Sequence, residues 1–142
     1  MTRMTRKIER DFMKRTNISS GSPFEEVAGF SRAVRVGSTI SVAGTAPIAA
    51  DGSTAAPGDA YGQTQRCFEI IEQAISEAGG SLQHVVRTRI MMTDISLWTD
   101  AAKAHGEIFA SIKPVCSLVE VSGLIEKDWL VEIEADCILP ED

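Results

Sequence analysis

Residues 111–136 read SIKPVCSLVEVSGLIEKDWLVEIEAD. Pro114 ends the helical pattern that precedes it, and two alternating runs follow, around Cys116–Val121 and Leu130–Leu139. Such alternation is the signature of half-buried strands. In the last run Val131, Ile133, Ala135, Cys137 and Leu139 form an apolar set, while Glu132, Glu134 and Asp136 point the opposite way. A strand that is apolar on one side and acidic on the other needs cover on one face only. The same sorting sends Ser117, Val119 and Val121 of the preceding run under that cover and leaves Cys116, Leu118 and Glu120 with the acids.

Upstream, FSRAVRVGSTISVAGT over residues 30–45 alternates around Gly37 and Ser38 and predicts a hairpin. Its sorting puts Ile40 and Val42 inward and Ser41, Ala43 and Thr45 on the far face. An aperiodic Pro, Gly, Asp and Ser-rich connection follows. Asp59 can then cap a helix whose apolar residues Phe68, Ile71, Ala74, Ile75 and Ala78 recur at helical spacing before Gly79 and Gly80. HVVRTRIMMT over residues 84–93 reads as a strand that sends Arg87, Arg89 and Met91 to the far face. A second helical pattern, Trp98, Ala101, Ala102, His105, Ile108, Phe109 and Ile112, starts after Ser96. The order is β-β-α-β-α-β-β, to which a strand before residue 23 can be added. Both helices are most economically placed on one face of a mixed sheet, giving an α+β two-layer sandwich. The uncovered face carries four acids, Glu120, Glu132, Glu134 and Asp136, with Arg87 and Arg89. Charged residues are normally exposed, which favours a solvated surface. The alternative is a subunit interface around a polar pocket, where opposite charges shift one another's pKa values.

The 142 residues suit one compact domain over 23–142 behind an N-terminal arm of residues 1–22, and are few enough that a broad pocket calls for a second subunit. A net charge of −6 opposes attraction to nucleic-acid phosphates. There is no apolar run of membrane-spanning length and no secretory pattern in the basic first residues, so membrane insertion is not expected. Cys67, Cys116 and Cys137 are odd in number and widely spaced. That pattern fits a reducing compartment and gives neither a disulfide framework nor zinc-ligand spacing, so a cytoplasmic protein without a metal is predicted.

Four segments taken together, AGFSRAVRVGSTISVAG, VVRTRIMMTDI, IKPVCSLVEVSGL and LVEIEA, resemble the RidA/YjgF family in order and spacing across residues 23–140. The resemblance implies a chorismate-mutase-like fold and a homotrimer with equivalent intersubunit clefts that bind small molecules. It also implies that the open sheet face meets neighbouring subunits. The activity it implies is hydrolysis of reactive enamines and imines to a 2-oxo acid and ammonia, without a cofactor. In the family an arginine on the penultimate strand clamps the substrate carboxylate through two parallel charge-assisted hydrogen bonds, a geometry that neither lysine nor a thiol reproduces. A glutamate on the last strand positions or activates water.

Carried over by position, Glu134 matches that glutamate and Cys116 stands at the arginine. Phe30 replaces a tyrosine, Ala43 a substrate-binding serine and Ala102 an asparagine. Loss of a buried bidentate contact costs about 2–5 kcal/mol of binding. The candidate site is therefore Glu134 for water, with Cys116, Arg89, Glu120, Phe30, Ala43 and His105 lining the cleft. Each of these carries two readings. Cys116 is a pocket-lining residue or, beside Arg89, an activated nucleophile; no histidine is placed by the sequence to deprotonate it, which favours the first. Arg89 supplies the missing positive charge or pairs with Glu120, Glu132 or Glu134. His105 packs within its helical stripe or offers a polar group to the cleft. Cys67 and Cys137 read as core, and Trp98 and Trp129 as packing anchors. The function predicted is imine or enamine hydrolysis in small-molecule metabolism. A non-catalytic metabolite-binding trimer is the alternative, and a ribonuclease or translation inhibitor is a weaker one.

Overall fold

The computed structural model describes residues 2–6 and 14–140. Its first strand, β1 (Arg15–Ile18), pairs with β2 and so draws part of the arm into the sheet. A short helix that the sequence reading passed over, α1 (Pro23–Ala28), follows. Ser22 caps it by accepting from the Phe24 N–H, Glu25 accepts from the Ser22 N–H in return, and Pro23 needs no partner for the N–H it lacks. Gly29 closes it at φ 71°, a left-handed conformation that glycine adopts without strain.

The predicted hairpin is present as β2 (Ala33–Val36) and β3 (Thr39–Thr45). Asp59 caps α2 (Ala60–Glu77) by accepting from the Gly62 N–H at 3.1 Å. Then come β4 (Val85–Met92), α3 (Trp98–Phe109), β5 (Val115–Glu120) and β6 (Val131–Ile138). The turn into α3 is set by Asp94, two residues before the expected Ser96; its carboxylate accepts from both the N–H and the hydroxyl of Ser96.

The six strands lie in the order β1-β2-β3-β6-β4-β5, antiparallel throughout except for β4 and β5, which are parallel. The sheet is therefore mixed, as predicted, and α2 and α3 pack on one face. Beneath them Ile40, Ile71, Ile75, Ile90, Val131, Ile133 and Cys137 are fully buried. Phe68 is at the centre, edge-on to Phe109 at 5.2 Å and to His105 at 5.6 Å between ring centroids. Cys67 and Cys137 are core residues, with burial pushing both thiols up, Cys137 to about 11. Trp129 is buried against Phe24, whereas Trp98 is half-exposed and anchors little.

Three details of the face-sorting are corrected by the register. Val42 pairs with Ala135 and Thr45 with Ile133, so Ala43 and Gly44 together oppose Glu134 in a β-bulge. The extra residue reverses the alternation, and Thr45, expected on the open face, is fully buried. Alternation against Arg87 and Arg89 predicts Val86 inward with Thr88, Ile90 and Met92, but a second shift between Val85 and Arg87 leaves Val86 exposed and buries Val85 in its place. In β5 the whole sorting is inverted. Cys116, Leu118 and Glu120 pair with Thr88, Ile90 and Met92, which all lie under the helices, so they share that face. Leu118 packs on the core, while Val115 and Val119 are exposed on the opposite side. Apolar character misleads at an edge strand because little of either face is buried there.

Removing the Phe68 ring leaves Phe109 and His105 facing a void, and Phe68→Ala is expected to cost about 3–5 kcal/mol of stability in urea unfolding. A loss below about 1 kcal/mol would mean that the aromatic cluster does not anchor α2 to α3.

Candidate functional site

The candidate residues separate into two groups on opposite faces of the sheet. On the open face, alternation along β6 exposes Glu132, Glu134 and Asp136 while their neighbours are buried. Glu134 is opposite Arg89 of β4, and the guanidinium donates to its carboxylate at 2.9 Å. Both side chains are about two-fifths exposed (41% and 38%), so the pair contributes little to stability. Its consequence is chemical: Arg89 is already engaged by an acid of its own chain. Phe30, Ala43, Ser41, Glu134 and Asp136 line one shallow hollow of about 460 Å³ beside this pair.

Under the helices lie the other three residues. Thr88 and His105 share a hydrogen bond of 2.8 Å between Oγ1 and Nε2, and burial lowers the His105 pKa, keeping the ring neutral. Cys116 is exposed and pairs in register with Thr88, the residue to which His105 is hydrogen-bonded. Glu120 accepts from the Ile95 N–H at 3.0 Å and ties β5 to the turn before α3. Within this chain the sheet therefore separates Cys116, Glu120 and His105 from Arg89, Glu134, Phe30 and Ala43.

Two further residues belong beside this site: Glu132, which the sequence places among the open-face acids without a role of its own, and Arg32, which it does not single out. Glu132 is half-buried, and among the described residues neither a hydrogen bond nor an ion pair engages its carboxylate. Burial raises its pKa; the nearby charge of Arg32 works against the rise and that of Glu134 adds to it. Arg32 is only 6% exposed and interacts with Glu132 without pairing directly. The available signals were Gly44, two residues past Val42 in a strand of otherwise substituted positions, and an arginine at the mouth of a hairpin. Gly44 has a specific purpose, since a Cβ there would meet Glu132 Oε2 at 3.0 Å. Among the described residues no three His, Cys, Asp or Glu side chains converge as a metal site requires, and no helix is long and apolar enough to cross a membrane.

Residues 21–139 match a family model described as Endoribonuclease L-PSP. The chain belongs to this family, the RidA/YjgF proteins. It is 38% identical to an uncharacterized protein of Streptomyces coelicolor over 84% of this chain and 88% of that one. It is 37% identical to a RutC family protein of Pyrococcus abyssi over 77% and 85%. A crystal structure from Mycobacterium tuberculosis, described as a member of the highly conserved YjgF/YER057c/UK114 family, superposes with a TM-score of 0.80. That protein is 46% identical, over 89% of this chain and all of the other. The RidA/YjgF assignment and the α+β architecture are thus both secure, and the family places the chain in small-molecule metabolism.

With its pKa raised above the ordinary glutamate value of 4.5, Glu132 binds its proton more tightly in the folded chain than in the unfolded one. Below pH 4.5 both states are protonated; as pH rises through the folded value, stability is lost to a carboxylate that ionises in a half-buried place. Glu132→Gln is therefore expected to be more stable than the wild type at neutral pH, with the advantage disappearing below pH 4.5 in urea unfolding. An advantage independent of pH would refute the desolvated carboxylate.

Proposed function

We propose that the protein is a RidA-like trimer whose intersubunit clefts hydrolyse a small imine or enamine to a carbonyl compound and ammonia. The observation that carries this reading is the pair of glutamates on one face of β6 in different surroundings. Glu132 has no ion-pair partner among the described residues, and burial raises its pKa; Glu134 accepts a hydrogen bond from Arg89. Two acids with unlike environments suit a reaction that needs one proton donor and one water-orienting carboxylate.

In that assignment Glu134 orients a water whose oxygen bonds to the C=N carbon, and the π electrons pass to nitrogen, which takes the Glu132 proton. Glu134 takes the water's surplus proton and passes it on to the nitrogen, and the carbinolamine hydroxyl returns its own proton to Glu132 as the C–N bond breaks and ammonia leaves. An enamine enters the same sequence after protonation at carbon. Phe30 and Ala43 form the apolar side of the cleft. Cys116, Glu120 and His105 would reach a ligand only across a subunit boundary at the β5 edge, where exposed Val115 and Val119 support a covering neighbour.

The engagement of Arg89 by Glu134, with cysteine at position 116, favours a second reading, a trimer that binds a metabolite without turning it over. Ribonuclease activity fits least well, because a net charge of −6 and an acidic face repel a phosphate backbone.

Ammonia release from imines generated in situ is expected to be accelerated by the wild type, abolished in Glu132→Gln and reduced at least tenfold in Glu134→Gln. Ligand-induced stabilisation without ammonia release would replace the hydrolase with the binding trimer. Full activity in both variants would dismiss this use of the glutamates.

A further inference from the structure

Arg32 is a cation nearly withdrawn from solvent at the end of the sheet that carries the acids. Burying a guanidinium is costly unless its donors are used. Its backbone joins two strands, the N–H donating to Ile18 O at 2.8 Å and the carbonyl accepting from the Ala43 N–H at 2.9 Å. One terminal nitrogen, Nη1, donates to the Gly44 carbonyl at 3.0 Å and to Thr45 Oγ1 at 3.4 Å. The Phe30 ring packs 5.5 Å from the guanidinium carbon. The Nε–H, buried, has no acceptor among the described residues.

These contacts converge on the bulge. Ala43 and Gly44 are the two residues opposing Glu134, and Arg32 fixes the carbonyl of the second. A Cβ on residue 44 would come within 3.0 Å of Glu132 Oε2, so the carboxylate lies close against the peptide whose carbonyl Arg32 holds. We infer that Arg32 is the positioning residue for Glu132: it fixes the bulge against which the carboxylate lies. Its buried charge also favours the ionised form of that carboxyl. The catalytic sense of this role rests on reading Glu132 as the proton donor of the hydrolysis; the coupling between the two residues does not.

Charges from every adjoining element enter the balance. From α1, Glu25 faces Arg32 but is occupied by the Ser20 hydroxyl and the Ser20 and Ser22 N–H groups. From α2, the Cys67 thiol is driven up by burial and stays neutral. From β6, Glu134 opposes ionisation of Glu132, itself tempered by Arg89. Arg32 is thus the positive charge acting on Glu132, and its loss leaves that carboxyl beside like charge and low-dielectric surroundings.

The test is a pH titration of side-chain carboxyl resonances in full-length protein labelled with ¹³C-glutamate, with Glu132 assigned as the signal missing from Glu132→Gln. The Glu132 midpoint is expected to move to higher pH in Arg32→Gln and to remain near the wild-type value in Arg32→Lys, which keeps the charge. An unchanged midpoint in Arg32→Gln, or an equal rise in Arg32→Lys, would overturn the charge coupling. In wild-type protein the Arg32 Nε–H resonance is expected to shift with the same midpoint and to lose that dependence in Glu132→Gln. A flat response there would also overturn it, whether or not Arg32→Gln folds. None of these readouts needs turnover, so a protein that releases no ammonia yet shows the coupling would sink the hydrolase reading alone.

Discussion

Strand β6 is bonded on both edges, to β3 and to β4, and from Val131 to Cys137 alternates between buried apolar and half-exposed acidic residues. One run of eight residues therefore both completes the core and displays the acids. A one-residue slip against either neighbour would bury Glu132, Glu134 and Asp136 under α2 and α3, at a cost no packing gain could offset. The register is consequently locked by the hydrophobic pattern, and the positions of Glu134 against Arg89 and of Glu132 against Gly44 follow from it.

The architecture was legible because its signals are periodic and long. The eighteen residues of α2 carry a cap, a stripe and a glycine stop, and β6 carries eight alternating positions. Where the reading failed, the cause was a local departure from period. Thr45 was misplaced by a bulge that no turn residue announces, since Gly44 in a strand marks a close approach only once its neighbour is known. The β5 residues were misassigned because an edge strand gives too little burial for apolar character to reveal direction. Helix α1 escaped notice for its length, six residues without a full apolar repeat, although the Ser22 and Glu25 capping box was present in the sequence.

The site was legible to a lesser degree for a related reason. Sequence alternation identifies which acids share a face, but not which of them are satisfied. Glu134 and Glu132 are equivalent by period and distinct only through partners contributed by other strands, Arg89 from β4 and Arg32 from the start of the hairpin. His105 reaches Thr88 through helix packing, so its tie to the neighbourhood of Cys116 depends on tertiary contact. Family resemblance transfers the fold with little loss, whereas the roles of individual side chains depend on these non-local pairings.

The parallel pairing of β5 with β4 has a further effect. The outer edge of β5 faces away from the rest of the sheet, with Val115 and Val119 exposed beside its backbone groups. Among the described residues β5 pairs with β4 alone, and the nearest lysine before it, Lys113, precedes Pro114. Such an edge is a template for strand addition by any extended segment that meets it. A chain whose β5 edge stays open is therefore exposed to edge-to-edge association with other copies.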